Sequence, residues 1–227
     1  MLHDPPLLTI HRGHRRPSKE LVDAFRGAQT SHLCDAMDGR GALDYRIKPL
    51  DPANAAFVGP AMTGWASPAD VVGMFGTLAE AEAGDVLVVA CDAYTGTAVL
   101  GDLAAGMMRN KGCAAFVTDG LARDRVGILE TGLPVFATGI SPNSPARKGL
   151  GVVGLPVILG GVQICPGDIL IGDADGVVVV PLGRAEAVLE ALEQVRAAEE
   201  KAIRRVAEGA VMSPAMEPIL AAARVIG

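Results

Sequence analysis

Histidine disappears from the chain after position 32; His3, His11, His14 and His32 are the whole set. A metal held by the folded body would therefore rest mainly on carboxylates, which points to Mg²⁺ or Mn²⁺ and away from zinc-like sites. Cysteine is equally sparse. Cys34, Cys91, Cys113 and Cys165 lie 22 or more residues apart, with no CxxC pair and each in or beside an apolar stretch. Reduced cysteines in a cytoplasmic core fit that spacing better than disulfides. The five lysines, at 19, 48, 111, 148 and 201, all lie near Gly, Pro or charged neighbours. None is evidently desolvated enough to serve as a Schiff-base nucleophile. Apolar runs such as 86–90 and 176–181 are far shorter than the roughly 20 residues a bilayer needs. The first 17 residues are rich in Pro, His and Arg and lack the apolar core of a signal peptide. A net charge of −6 argues against nucleic acid as the main partner. Phosphate and cofactor motifs are missing too: there is no GxGxxG after a strand, no GxxxxGK loop and no GxSxG elbow. Methyltransferase and dehydrogenase readings therefore have no support, and no organic cofactor is expected.

What remains is a 227-residue chain, half hydrophobic, with 28 glycines and 15 prolines. That length and apolar content suit a single α/β domain over residues 18–227, preceded by a loose tail over 1–17 carrying Arg12, Arg15 and Arg16. Ser18 is a good N-cap for a helix through 19–28, and a second helix begins at Thr30 or Ser31 and stops at Gly39–Gly41. Residues 49–60 read as irregular, 61–66 as a short strand, 69–82 as a helix and 86–90 as a buried strand. From Thr97 the pattern is βαβ-like: helix 101–112, strand 113–120, a polar loop, then strand 133–140. Three or four short strands follow, separated by Gly-rich turns. Arg184 to Glu208 forms a long helix whose apolar face is Leu189, Leu192, Val195, Ile203 and Val206. A short helix from Pro214 to Val225 ends the chain.

Three segments carry more polar groups than a core needs. Gly101, Asp102, Leu103 and Ala104 stand at a helix N-terminus, where free N–H groups and the positive dipole end suit a carboxylate or phosphate. A plain helix cap at Asp102 explains the same residues. Arg123 and Asp124 follow a strand and a glycine, where α/β proteins commonly place ligand groups. A surface ion pair of little energetic weight is the alternative. Asp168, Asp173 and Asp175 lie among glycines that superficially resemble a calcium loop, but without the closing Glu they read as turn chemistry.

The order TSHLCDAMD (30–38), GPAMTGWA (59–66), AGDVLVVACD (83–92), GDLAAGMMRNKGCAAFVTDGLARD (101–124) and GGVQICPGDILIGDADGVVVVP (160–181) resembles the RraA-like family. That family includes regulators of ribonuclease E activity and class II 4-hydroxy-4-methyl-2-oxoglutarate/4-carboxy-4-hydroxy-2-oxoadipate aldolases; many members carry a demethylmenaquinone methyltransferase label. The likeness runs from about residue 18 to 208. It implies a compact α/β domain like the swivelling phosphohistidine fold, assembled as a homotrimer or hexamer with the active site between subunits. It implies further that Asp124 binds the divalent metal, with mostly waters elsewhere in the shell, and that Arg123 contacts the keto oxygen of a pyruvoyl group. The N–H groups of Gly101 to Ala104 would hold the pyruvoyl carboxylate, and Asp102 would orient a metal-bound water. Acidic residues of a neighbouring subunit complete such sites, with Asp35, Asp38, Glu199 and Glu200 as candidates. Glu200 also stands four residues before Arg204, a spacing that serves equally for a surface helix pair. The family often has Asn after the aspartate of its third helix, where this chain has Val71 after Asp70.

Elementary chemistry is compatible with these roles. Retro-aldol cleavage of a 4-hydroxy-2-oxo acid produces a pyruvate enolate, which needs an electron sink at C2. Without a Schiff-base lysine, the sink is a metal and a fixed cation at the enolate oxygen. Oxaloacetate decarboxylation passes through the same enolate and is expected as a side activity. The family's other activity, a non-catalytic regulator of ribonuclease E-type degradation, departs from the Arg–Asp pair, so the intact Arg123 and Asp124 favour a lyase acting on a small 2-oxo acid.

Overall fold

A computed structural model describes residues 4–226. The chain opens with strand β1 (Leu8–Ile10) and helices α1 (Lys19–Ala24) and α2 (Thr30–Ala36). Next come β2 (Lys48–Pro49), β3 (Phe57–Ala66), α3 (Val72–Glu80) and β4 (Val86–Ala90). β5 (Ala98–Leu100), α4 (Asp102–Asn110), β6 (Ala115–Thr118), β7 (Leu121–Ala122) and α5 (Arg125–Thr131) follow. Seven strands then run in quick succession: β8 (Val135–Ala137), β9 (Gly139–Ile140), β10 (Gly151–Val153), β11 (Val157–Leu159), β12 (Val162–Ile164), β13 (Ile169–Gly172) and β14 (Val177–Val180). Helices α6 (Ala185–Ala207) and α7 (Glu217–Ala221) finish the chain.

The spine of this α/β domain is a parallel run β3-β4-β6-β8. β4 reads VLVVA without alternation because both of its faces are covered. Leu87 and Val89 point to one side, where Phe116 joins Met74 of α3, Met108 of α4 and Ile128 of α5. Val86 and Val88 point to the other, against Val157, Leu159, Leu170 and Val179. The outward face of β13 and β14, with Ile169, Ile171, Val178 and Val180, is covered in turn by Phe25, which caps the end of α1, and by Leu33 and Leu192 of α2 and α6. Four layers result: helices, parallel sheet, antiparallel strands, helices.

β3 starts earlier than expected. Its first half, Phe57–Pro60, pairs antiparallel with β13, and its second half, Ala61–Trp65, pairs parallel with β4. Pro60 sits at the changeover, where its missing N–H does not break either ladder, so the proline that argued for irregular chain is tolerated. Glycine allows the close seating of α3 on β3. A Cβ at Gly64 would lie 1.8 Å from Thr77 Oγ1, and one at Gly73 would lie 2.0 Å from the Trp65 carbonyl oxygen.

Several expectations require correction. Within 1–17, residues 8–16 are not a loose tail. Leu8 and Ile10 pack on the core, and β1 forms an edge of the sheet by pairing parallel with β10. Arg12 grips Glu80 through two hydrogen bonds, 2.6 and 2.7 Å, and Arg16 pairs with the fully buried Asp85. The polar loop after β7 contains the two-turn helix α5, and the last helix is shorter than 214–225. Of the expected stripe on α6 only Leu192 is buried, with Leu189 and Val195 half-buried and Val188, outside that stripe, buried as well; Ile203 and Val206 face outward. No helix among the described residues is long and apolar enough to cross a membrane.

Candidate functional site

β5, β7 and β9 form a small parallel sheet of their own, with Leu100 in register with Ala122. The Arg123 N–H donates to the Leu100 carbonyl at 2.9 Å. Two strands that end side by side deliver their next residues side by side, so Gly101 meets Arg123 and Asp124. A Cβ at Gly101 would stand 2.8 Å from Asp124 Oδ2 and 3.0 Å from Arg123 Nε. The glycine is therefore a bare patch of backbone under the two charged groups.

Asp124 has left-handed backbone angles, φ 56° and ψ 44°. It occupies the N-cap position of α5, yet its side chain accepts no capping hydrogen bond. The carboxylate turns back toward Arg123, with Oδ2 3.2 Å from Nε. A non-glycine residue held in this conformation by its surroundings is a recurrent mark of functional sites. Arg123 is fixed from its other end, where Nη1 donates to Ser144 Oγ at 2.5 Å.

Gly101, and not Asp102, is the N-cap of α4. Asp102 is the first helical residue; Oδ1 accepts from the Leu103 N–H at 2.7 Å. Its other oxygen lies over a second glycine, since a Cβ at Gly127 would be 2.7 Å from Asp102 Oδ2. By position, the Asp102, Leu103 and Ala104 N–H groups stand outside the helix's own ladder, at its positive end.

A cavity of about 200 Å³ opens here. Gly101, Asp102 and Arg123 line it together with Val71, Met74 and Phe75, as do Ser144 and Arg147, while Asp124 is not in its lining. Asp70, buried next to Val71, holds the 148–149 segment in place. Burial pushes its carboxyl up, but N–H groups of Val72, Gly149 and Lys148 donate to it, and the balance holds it below the ordinary value.

The fit of a divalent ion follows from the donor set. Asp102 and Asp124 offer hard carboxylate oxygens over glycines that leave room beside them. Among the described residues no three His, Cys, Asp or Glu side chains converge into a ready-made cage. Mg²⁺ does not need one, because it keeps several waters and binds through one or two carboxylates plus substrate oxygens. The residues present therefore fit Mg²⁺ or Mn²⁺ with substrate and water as co-ligands.

The chain matches the RraA-like family, described as aldolase/RraA, over residues 30–179. It belongs to that family. A protein of Halalkalibacterium halodurans, provisionally named a 4-hydroxy-4-methyl-2-oxoglutarate aldolase, is 35% identical over 83% of this chain and 90% of its own length. Among solved structures, RraAS2 of Streptomyces coelicolor is described as an unusual member of the ribonuclease ES inhibitor RraA family. It superposes with a TM-score of 0.75 at 31% identity, covering 84% of this chain and 100% of that one. A Geobacillus kaustophilus protein titled as an S-adenosylmethionine:2-dimethylmenaquinone methyltransferase gives a TM-score of 0.62 at 30% identity, over 67% and 94% of the two chains.

The RraA fold thus sets Gly101 against Arg123 and Asp124 and places Asp102 with Arg123 in the cavity lining. Within one chain it does not bring the other acidic candidates there. Asp35 and Asp38 are exposed on and just after α2, and Glu199 and Glu200 are exposed on the second half of α6. None of the four lines the cavity. Among the described ion pairs α6 has Arg196–Glu193 but none joining Glu200 to Arg204. The aspartates at 168 and 173 are structural: Asp168 accepts from the N–H groups of Cys165 and Leu182, and Asp173 from Thr30. Buried Cys91 and Cys113 are no nucleophiles, since burial first and nearby aspartates second push their thiols up to about 12 and about 11. Sequence reasoning missed Ser144, Arg147 and the wall formed by α3. Their segment, SPNSPARKG, carries the composition of an ordinary turn.

Proposed function

We propose that this protein is a divalent-metal-dependent lyase that cleaves a 4-hydroxy-2-oxo acid to pyruvate by a retro-aldol reaction. The observation that carries the reading is the packing of Arg123 and left-handed Asp124 against bare Gly101, at the N-terminus of α4. The provisional name of the Halalkalibacterium relative supports the substrate type.

In this reading the α4 N–H groups at Asp102 to Ala104 hold the substrate's C1 carboxylate, and the Arg123 guanidinium meets the C2 keto oxygen. Asp124, with Asp102 nearby, holds Mg²⁺ or Mn²⁺, which when bound supplies positive charge at the keto and carboxylate oxygens. Loss of the C4 hydroxyl proton breaks the C3–C4 bond, and its electron pair becomes the C2–C3 double bond of a pyruvate enolate. Arg123 stabilises the oxygen where that charge gathers. Asp102 positions the water that takes the hydroxyl proton. The released fragment carries the new carbonyl, and a proton on C3 completes pyruvate. Decarboxylation of oxaloacetate needs the same enolate stabilisation and accompanies the activity. Assembly as a homotrimer or hexamer in the cytoplasm, with Asp35, Asp38, Glu199 or Glu200 of a neighbouring copy adding acid groups, belongs to the same proposal.

The relationship to RraAS2 favours one competing reading, a binding protein that regulates ribonuclease E-type RNA degradation. One assay separates the two: pyruvate release from 4-hydroxy-4-methyl-2-oxoglutarate and from oxaloacetate, with and without a chelator. The lyase releases pyruvate in a chelator-sensitive manner, and Asp124→Ala loses at least about a hundredfold in turnover with its circular dichroism unchanged. Absence of chelator-sensitive pyruvate, or full turnover in Asp124→Ala, overturns the reading.

A further inference from the structure

Arg123 is a long side chain, yet it is held at three places. Gly101 lies beneath it, where a Cβ would stand 3.0 Å from Nε. Asp124 Oδ2 stands 3.2 Å from Nε, and Nη1 donates to Ser144 Oγ at 2.5 Å. The Nε–H and Nη1 lie on opposite sides of the planar guanidinium. Nη2, between them on its rim, is the nitrogen without a partner among the described residues. One contact at Nε leaves the plane free to pivot about it; the serine supplies the second point that fixes its direction.

Ser144 is suited to that task because its own backbone is stitched on both sides. The Asn143 carbonyl accepts from the Ala98 N–H at 3.0 Å, and Asn143 Nδ2 donates to the Gly96 carbonyl at 2.9 Å. Ala98 begins β5, the strand that also delivers Gly101 beneath Arg123. On the other side, Ala146 donates to the Ala69 carbonyl and accepts from the Val71 N–H. Asp70 staples the same segment to α3: Oδ2 accepts from the N–H groups of Lys148 and Gly149, 2.7 Å each, and Oδ1 from Val72. Pro142 and Pro145 flank the serine and limit its backbone further. An exposed hydroxyl is thus carried on a rigid bridge and turned toward a cation in the cavity lining.

We infer that Ser144 is the positioning residue of Arg123: its hydroxyl keeps the guanidinium turned so that Nη2 is the nitrogen offered to an oxyanion. The inference rests on the 2-oxo acid reading for the identity of that oxyanion, the enolate oxygen at C2. Charge gathers there only as the C3–C4 bond breaks, so a misdirected guanidinium costs turnover more than substrate binding.

The test compares Ser144→Ala, which removes the hydroxyl, with Ser144→Thr, which keeps it. In steady-state release of pyruvate from 4-hydroxy-4-methyl-2-oxoglutarate with Mg²⁺, Ser144→Ala should lower kcat about tenfold and leave KM within about twofold. Ser144→Thr should restore most of the loss, and the circular dichroism of both variants should match that of the unmodified protein. A second readout needs no turnover: nitrogen-15 spectra of the guanidinium groups, with Arg123 assigned through Arg123→Lys. Arg123 should give separate Nη1 and Nη2 resonances in the unmodified protein and in Ser144→Thr, and one averaged resonance in Ser144→Ala. Averaging in the unmodified protein, or separate resonances that persist in Ser144→Ala, overturns the inference. An unchanged kcat, a rise in KM alone or a failure of threonine to restore turnover overturns it as well, and leaves the lyase standing. Resonances that depend on the hydroxyl, in a protein that releases no pyruvate, support Ser144 as the residue that positions Arg123 and remove the lyase.

Discussion

Asp124 holds a left-handed backbone, as Asp38 does among the other candidate residues. A β-carbon in the left-handed region costs about 1 kcal/mol or more, and aspartate tolerates it better than most because its short polar side chain can bond locally. Here that relief is forgone. The carboxylate neither caps α5 nor meets a backbone N–H, and it lies over Gly101 beside Arg123 instead. Replacing Asp124 with Gly should therefore remove the strain, while Ala keeps it and loses the carboxylate as well. In urea denaturation we expect Asp124→Gly to exceed Asp124→Ala by about 1 kcal/mol and at least to equal the unmodified protein. Both variants should lack pyruvate-releasing activity. A Gly variant less stable than the Ala variant would mean that the turn is not under the stress its φ of 56° implies. The site residues themselves were legible from sequence for a related reason. Gly101, Arg123 and Asp124 follow strands directly, and in parallel sheets the strand ends are where side chains are free to serve a ligand.

At the scale of elements, the staple at Asp70 joins α3 to the 146–149 segment. The folded carboxyl lies below its ordinary 3.8, because three backbone donors outweigh the burial that would raise it. A depressed pKa means that the staple contributes its full stability above the unfolded value and loses it as pH falls through the folded one. The 146–149 segment should accordingly stay fully protected at pH 5, weaken only below the ordinary 3.8 and open as pH falls through the depressed folded value. Hydrogen exchange of the Lys148 and Gly149 amides, compared between the unmodified protein and Asp70→Asn from pH 6 downward and corrected for intrinsic rates, checks this. Equal protection of the two proteins at pH 5 would show that other bonds hold the segment. Nothing in the sequence announced the staple, since an Asp two residues after Ser-Pro reads as a helix start, and its partners lie 78 and 79 positions away. The same distance problem hid β1, whose three residues become a strand only by pairing with β10. Helix α5 escaped for a local reason: two turns containing Gly127, with Ile128 alone buried, show no periodicity to read. By contrast β4 and α4 were plain, because an unbroken apolar run and a capped amphipathic stretch each satisfy their structure locally.

For the whole molecule, the distribution of uncovered apolar side chains matters most. In the cavity lining, Leu103 is 76% exposed and Met107 51%; on the outward half of α6, Ile203 is 59% exposed and Val206 68%. Scattered single residues of this kind are ordinary, but these form two groups, one rimming a site and one following a helical stripe. The apolar stripe of α6 also extends past the face that a single chain covers, and in the proposed assembly a second copy would cover the rest. The proposed assembly, if built through these surfaces, would cover both groups. It would also let Glu199 and Glu200, four and three residues before Ile203, approach a site that lacks a third acidic donor in its own chain. Analytical ultracentrifugation at micromolar concentration should therefore give a mass of three or six times 23.3 kDa. The double change Ile203→Asp and Val206→Asp should shift it toward the single-chain mass without altering the circular dichroism, because neither side chain touches the buried core. The dissociated variant should also lose most pyruvate-releasing activity while retaining Arg123, Asp124 and Asp102. A single-chain mass for the unmodified protein would overturn the assembly. Full activity in a dissociated variant would locate every necessary acid group within one chain.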